Sequence, residues 1–116
     1  MSKRSNAALL NDMLDHAREA VAFVEGKSRA DLDSDRLLNL ALVRLLEIIG
    51  EAASQLPKQE QLHHPRIPWP QIVSLRNRLI HGYNAVDLDI VWQIITSDLP
   101  PLISELEASL SQAGDE

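Results

Sequence analysis

Apolar residues recur three and four apart through most of the chain, and this spacing predicts helices rather than strands. Over about residues 7–25, Leu10, Met13 or Leu14, Ala17, Val21 and Val24 form one stripe, with Gly26 as the stop. Residues 27–33 are charged and small, so they read as a loop, and Asp33 or Ser34 can cap the next helix. That helix spans about residues 34–56. Its stripe is Leu38, Leu42, Leu45, Ile49, Ala52 and Leu56, widened by Leu37, Ala41, Ile48 and Ala53. One neighbouring helix cannot cover so broad a surface, so this helix is either central or also meets a second subunit. Pro57 ends it, and the polar, proline-punctuated residues 58–68 read as a loop. Trp69-Pro70 opens a third helix, with Pro70 suited to the first helical position. Ile72, Leu75 and Leu79 face its core side, and Val73 and Ile80 flank them. Asp87 is a good N-cap for a fourth helix. The stripe Leu88, Trp92, Ile95, Leu99, Leu102, Leu106 and Leu110 then runs through Pro100-Pro101. Proline removes a helical hydrogen bond, so a break or kink is expected at residues 97–99, with Asp98 capping a fifth helix. The expectation is an all-α, antiparallel up-down bundle of four to five helices. It forms one domain over residues 1–116, with about six frayed residues at each end.

The polar residues on this framework are unevenly placed. The octapeptide Arg76-Asn77-Arg78-Leu79-Ile80-His81-Gly82-Tyr83 gathers two arginines, an asparagine, a histidine and a tyrosine at the end of the third helix. Gly82 is a natural stop there, because only glycine enters the left-handed region without strain. On an ideal helix Arg76 and His81 lie about 140° apart, while Asn77 and His81 share a face. A cation at a helix C-terminus is favoured by the helix dipole alone, by about 0.3–1 kcal/mol. That suffices for a lone His-Gly pair but not for Arg-x4-His-x-Tyr with Asn after the arginine. On the second helix, Arg44, Glu47 and Glu51 fall within about 60° of one another. Two glutamates four apart repel, so Arg44, Arg76 or Arg78 is expected within ion-pair reach of at least one of them. Of these, Glu51 is a candidate supporting residue of the site.

Arg76-x4-His81-x-Tyr83 matches the ribonuclease motif of HEPN domains. Ile49-Gly50-Glu51-Ala52, Ile67-Pro68-Trp69 and Asp87-Leu88-Asp89-Ile90-Val91-Trp92 resemble the HepT toxins among them. The resemblance covers about residues 9–110. It implies a helical bundle, a homodimer that brings two motifs into one cleft, and a metal-independent endoribonuclease acting as the toxin of a type VII-like toxin–antitoxin pair. In that reading Arg76 and His81 are catalytic, and Asn77, Arg78, Tyr83 and Glu51 support the site or bind substrate. The resemblance also implies a partner, an MNT-type nucleotidyltransferase antitoxin that adenylylates Tyr83, and it implies no cofactor.

The chemistry of the residues fits that reading. RNA carries its own nucleophile, the 2′-hydroxyl. Cleavage needs a proton acceptor or donor near neutral pH, which a histidine with a pKa of about 6.5 supplies. It also needs a cation for the crowded phosphate, which a guanidinium fork supplies. Asn77 could orient the imidazole or bind phosphate, and Tyr83 could meet phosphate or stack a base.

Composition adds limits. Apolar residues make up 45% of the chain and aromatics only 3%, so Leu, Ile, Val and Ala do the packing. There is no cysteine, which excludes disulfides and thiolate sites. The opening residues lead into no long apolar run, so no signal peptide or membrane span is expected and the protein reads as cytoplasmic. The net charge of −6 argues against a general nucleic-acid binder. Residues 57–83, however, carry Lys58, Arg66, Arg76 and Arg78 against Glu60 alone, a local +3 that leaves −9 on the rest. Such a strip can hold a phosphate backbone locally. His63-His64 is a weak metal signal, since adjacent histidines point apart and no carboxylate or cysteine sits at ligand spacing; no metal is expected. Three other classes stay open: a non-catalytic, nucleotide-binding helper of a nucleotidyltransferase, a complex subunit whose motif is structural, and a helical dimer unrelated to RNA.

Overall fold

The computed structural model describes residues 4–79 and 85–114, with the side chains of residues 112–114 left aside. Its elements are α1 (Asn6–Phe23), α2 (Asp31–Ser34), α3 (Arg36–Gln55), α4 (Lys58–Leu62), α5 (Trp69–Val73), α6 (Leu75–Leu79), α7 (Leu88–Gln93), a π-helical turn (Ile94–Asp98) and α8 (Leu99–Gly114). The all-α bundle is as expected.

Each long helix has a cause legible in its ends and its apolar face. Ser5 caps α1 by accepting from the Ala8 N–H, and Leu9, Leu10, Met13, Leu14, Ala17 and Ala20 are buried along it. Gly26, at a φ of 73°, turns the chain after it. Asp35, one residue beyond the expected caps, accepts from the Leu38 N–H and starts α3. In the expected loop before it lies the short α2, whose first residue, Asp31, accepts from the Ser28 N–H. Arg29 joins this corner to α7 by donating to Asp89 (2.6 Å) and Asp33 (3.1 Å). The Asp89 bond holds that guanidinium above the ordinary arginine range, against some desolvation.

α3 is the centre of the bundle, packed on α1 along one side and on α5 and α6 along another. Leu42, Leu45, Leu46, Ile49, Gly50, Ala52 and Ala53 are all buried on it. Leu46, absent from the expected stripe, is fully buried, whereas Leu37, expected to widen it, is 81% exposed. The helices run antiparallel. Asn6, at the start of α1, donates to Glu60, just beyond the end of α3, and Glu60 meets His64, whose other ring nitrogen meets Ser109 late in α8. Arg18 and Glu107 add an ion pair between α1 and α8.

Three expectations are corrected. Residues 58–68 are not all loop: Lys58–Leu62 form a helical turn, pinned by Trp69, whose indole N–H donates to the carbonyls of Gln61 (2.9 Å) and His64 (3.0 Å). The third helix is interrupted at Ser74, which separates α5 from α6. The irregularity expected at residues 97–99 is present, and α8 starts at Leu99, but the irregularity is a π turn over Ile94–Asp98 and the Asp98 carboxylate meets Arg78 instead of capping. A π turn absorbs the missing donors: the Leu99 N–H donates to the Ile94 carbonyl five residues back, and the helix continues into α8. The extra residue in that turn also explains why Val91 and Ile94 are buried beside the expected stripe.

Asp87 does cap α7, accepting from the backbone N–H of Asp89 and Ile90. Its own backbone N–H donates to the Leu79 carbonyl at 2.9 Å, so the end of α6 and the start of α7 are tied. Among the described residues no helix is long and apolar enough to cross a membrane.

Candidate active site

α6 presents the first half of the octapeptide. Leu75 and Leu79 are fully buried, which fixes one face of this short helix on the core and turns Arg76 and Asn77 outward. Opposite them runs the polar edge of α3. Arg44, Glu47, Gly50, Glu51 and Ser54 line one wall of a cleft of about 460 Å³, and Val73, Arg76 and Asn77 line the other. The two candidate groups, far apart in sequence, therefore meet in one place.

Gly50 makes the approach possible. A Cβ there would lie 3.2 Å from the Ile72 carbonyl oxygen and 3.3 Å from the Leu75 Cβ. With no side chain, α3 comes close enough to α5 and α6 for their polar edges to share a cleft.

The expected ion pair exists but is loose: Arg44 and Glu47 stand 3.9 Å apart. Among the described residues the side chains of Glu51, Arg76 and Asn77 have no hydrogen-bond or ion-pair partner. A cation and an amide standing unengaged over a polar cleft are available to a ligand. Ser54 and Val73 also line an adjoining apolar groove of about 610 Å³, whose other walls include Leu62, Pro65, Trp69 and Pro70, with Lys58 at its side.

Arg78 is placed differently. It does not line the cleft, and donates instead to Asp98 in the π turn at 3.1 Å. His81, Gly82 and Tyr83 lie outside the described residues, as does the expected bend at Gly82. A composite of Arg76, His81 and Tyr83 therefore remains an expectation.

At His63-His64 the sequence reading overlooked a carboxylate. Glu60 meets His63 at 3.4 Å and His64 at 3.1 Å, because residues three and four apart face one another on α4 and the turn after it. His64 has its other ring nitrogen on Ser109 at 2.9 Å. The contacts are those of a hydrogen-bonded brace between α4 and α8, and no group of three metal-binding side chains occurs among the described residues.

Sequence reasoning passed over the spacer role of Gly50 and the part of Asp98. The first had a signal, a glycine inside a strongly helical run. The second had one in Pro100-Pro101, which announced an irregularity without saying where Asp98 would point.

An antiparallel helical bundle with an arginine- and glutamate-lined cleft beside its central helix is HEPN-like in class. Residues 13–109 match the family described as Ribonuclease HepT-like. The chain belongs to that family. It is 35% identical over 107 residues to a candidate RNase of Methanocaldococcus jannaschii, covering 92% of this chain and 98% of that one. It is also 36% identical over 103 residues to a candidate RNase of Caldanaerobacter subterraneus subsp. tengcongensis, covering 89% and 92%. A protein of Thermococcus cleftensis named probable ribonuclease HepT is 35% identical over 100 residues, covering 83% and 91%. No solved structure matches the chain.

Proposed function

We propose that the protein is the endoribonuclease toxin of a toxin–antitoxin pair, acting on cytoplasmic RNA without a metal. The observation that carries the reading is the cleft itself. Arg76 and Asn77 stand there without described partners, across from Arg44, Glu47 and Glu51, in a chain of the HepT-like ribonuclease family. Arg76 binds the scissile phosphate through its guanidinium fork. The 2′-hydroxyl attacks phosphorus as a base takes its proton, and the P–O5′ bond breaks as an acid returns a proton to the departing oxygen. The products are a 2′,3′-cyclic phosphate and a 5′-hydroxyl. His81 supplies the base or acid. Glu47 neutralises Arg44, and Glu51 lies across the cleft from Arg76. The purified protein should cleave single-stranded RNA in buffer containing a chelator. Cleavage that stops with the chelator would overturn the metal-independent mechanism, and a wild type that leaves RNA intact would overturn the nuclease.

One histidine cannot serve as both acid and base in the same event, and a two-fold dimer supplies the second. Leu37 and Leu40 support this reading, being 81% and 48% exposed on the outer face of α3. Leu40 also lines a cavity with Ala85 and Val86, which come just after the octapeptide in the chain. Light scattering at micromolar concentration should give a dimer, and Leu37→Glu with Leu40→Glu should give a monomer that no longer cleaves. A stable wild-type monomer would remove the composite site.

The antitoxin partner is a nucleotidyltransferase. The Tyr83 hydroxyl attacks the α-phosphate of ATP, pyrophosphate leaves, and AMP stays on the ring. The added negative charge and bulk repel RNA from the neighbouring cations. Co-expression with the cognate nucleotidyltransferase should add one or more AMP masses at Tyr83. An unmodified intact mass, or an adduct mapped elsewhere, would show that neutralisation takes another route.

A further inference from the structure

We propose that Asp98 is a positioning residue for the cleft, holding α6 through Arg78 at the rotation that aims Arg76 and Asn77 across at α3. The proposal rests on the ribonuclease reading of that cleft.

Among the described residues, α6 is anchored mainly through one apolar stripe. Its described residues are Leu75–Leu79, and at Ser74 it meets α5 in a turn that the Ser74 N–H to the Pro70 carbonyl (3.2 Å) and the Arg78 N–H to the Ser74 carbonyl (3.0 Å) span. Helices in proteins draw most of their stability from tertiary packing, so the orientation of α6 comes from what it packs on. Leu75 and Leu79, four apart, anchor a single stripe to the core. The Leu79 carbonyl accepts from the Asp87 N–H. These contacts hold the helix to the core along one stripe, and its flanks are set by what they meet.

The two arginines lie on opposite flanks of that stripe. With about 100° per residue, Arg76 falls about 80° to one side of the mean leucine direction and Arg78 about 80° to the other. Arg76 lines the cleft. Arg78 points away from it and is held by Asp98 at 3.1 Å. A tether on one flank stops rotation toward the other, so the Arg78–Asp98 pair sets the aim of Arg76.

Asp98 is itself placed by an irregularity. It is the last residue of the π turn, which the sequence needs because Pro100 and Pro101 supply no backbone donors. The turn's extra residue rotates the faces of α8 by about 100° relative to those of α7. Arg78 and Asp98 keep 31% and 34% of their side-chain surface exposed. A pair that open to water contributes little to the stability of a fold. Its value lies in geometry, where a displacement of about 1 Å can cost about 100-fold in rate.

The test compares wild type, Asp98→Asn, Arg78→Ala, the double variant, and the swapped pair Arg78→Asp with Asp98→Arg. Each is measured for kcat and KM on an RNA oligonucleotide, for salt dependence, and for melting temperature. Each single variant should lower kcat by about 10- to 100-fold, with KM, salt slope and melting close to wild type. The double variant should be no worse than either single one, and the swapped pair should recover part of the loss. Additive losses would overturn the proposal. So would wild-type activity of Asp98→Asn beside a raised KM and a salt slope reduced by about one in Arg78→Ala, the signature of a phosphate contact. Amide exchange of residues 75–79 separates this proposal from the ribonuclease reading. Asp98→Asn should speed exchange there without lowering the melting temperature. A wild type that cleaves no RNA sinks the nuclease, and unchanged exchange sinks the positioning role.

Discussion

Arg76→Ala and His81→Ala are each expected to slow RNA cleavage by about 10²–10⁴-fold, the range typical of losing a general acid or base or a charge-stabilising donor. Arg76 is exposed on α6 and engages no described partner, so its removal leaves no void and strands no buried charge. The helix stays in place because Leu75 and Leu79 remain buried. Arg76→Lys keeps the charge but loses the two-pronged fork, and an intermediate rate is expected. His81 offers the proton-transfer chemistry that arginine, charged at all working pH values, cannot supply. The measurement is cleavage of an end-labelled RNA in chelator, with circular dichroism to confirm the fold. A His81→Ala protein as fast as wild type would rule out histidine acid–base catalysis.

Gly50→Val is expected to destabilise the protein by about 1–3 kcal/mol or more, the usual cost of overpacking a tight interface. A Cβ alone would already sit 3.2 Å from the Ile72 carbonyl oxygen and 3.3 Å from the Leu75 Cβ. Valine adds two methyls to that contact and gains little in helix propensity over glycine compared with alanine. Gly50→Ala is a subtler case, since about 0.8–1.0 kcal/mol of propensity opposes the squeeze. The valine variant bears on function as well as stability. It can be accommodated only by moving α5 and α6 off α3, which widens the cleft between Glu51 and Arg76. Urea unfolding should show a lower midpoint, with cleavage impaired even where the protein is still folded. A midpoint equal to wild type would mean that α5 and α6 are not held as closely as Gly50 implies.

Much of this protein can be read along its chain, and the reason is local. Helix existence follows from apolar spacing, and helix starts follow from short-range chemistry, as with Asp87, whose carboxylate caps the N–H groups two and three residues on. The buried row Ile72, Leu75 and Leu79 follows from the same spacing. Arg76 and Asn77 then had to face outward, because the leucines take the core side. The ribonuclease family was legible too, since its motif lies within eight consecutive residues and its flanks are contiguous.

What the chain alone left open depends on contacts between distant segments. Leu37 and Leu46 are equally apolar, yet one is exposed and the other fully buried, and only the position of the neighbouring helices decides which. Pro100-Pro101 demanded an irregularity, but the energetic choice between a break and a π turn rests on how Ile95, Leu99 and Leu102 pack once the helix continues. Asp98 accordingly left the capping role its type suggests and took Arg78, twenty residues away, as partner. Arg78 shares a motif with Arg76 but serves a different neighbour, because residues two apart on a helix face different ways. The sequence by itself thus determined the helices, the outward arginines and the family. The tertiary structure decided which glutamates Arg76 faces, through the bare surface of Gly50 that lets α3 approach, and which of the two motif arginines stands without a described partner.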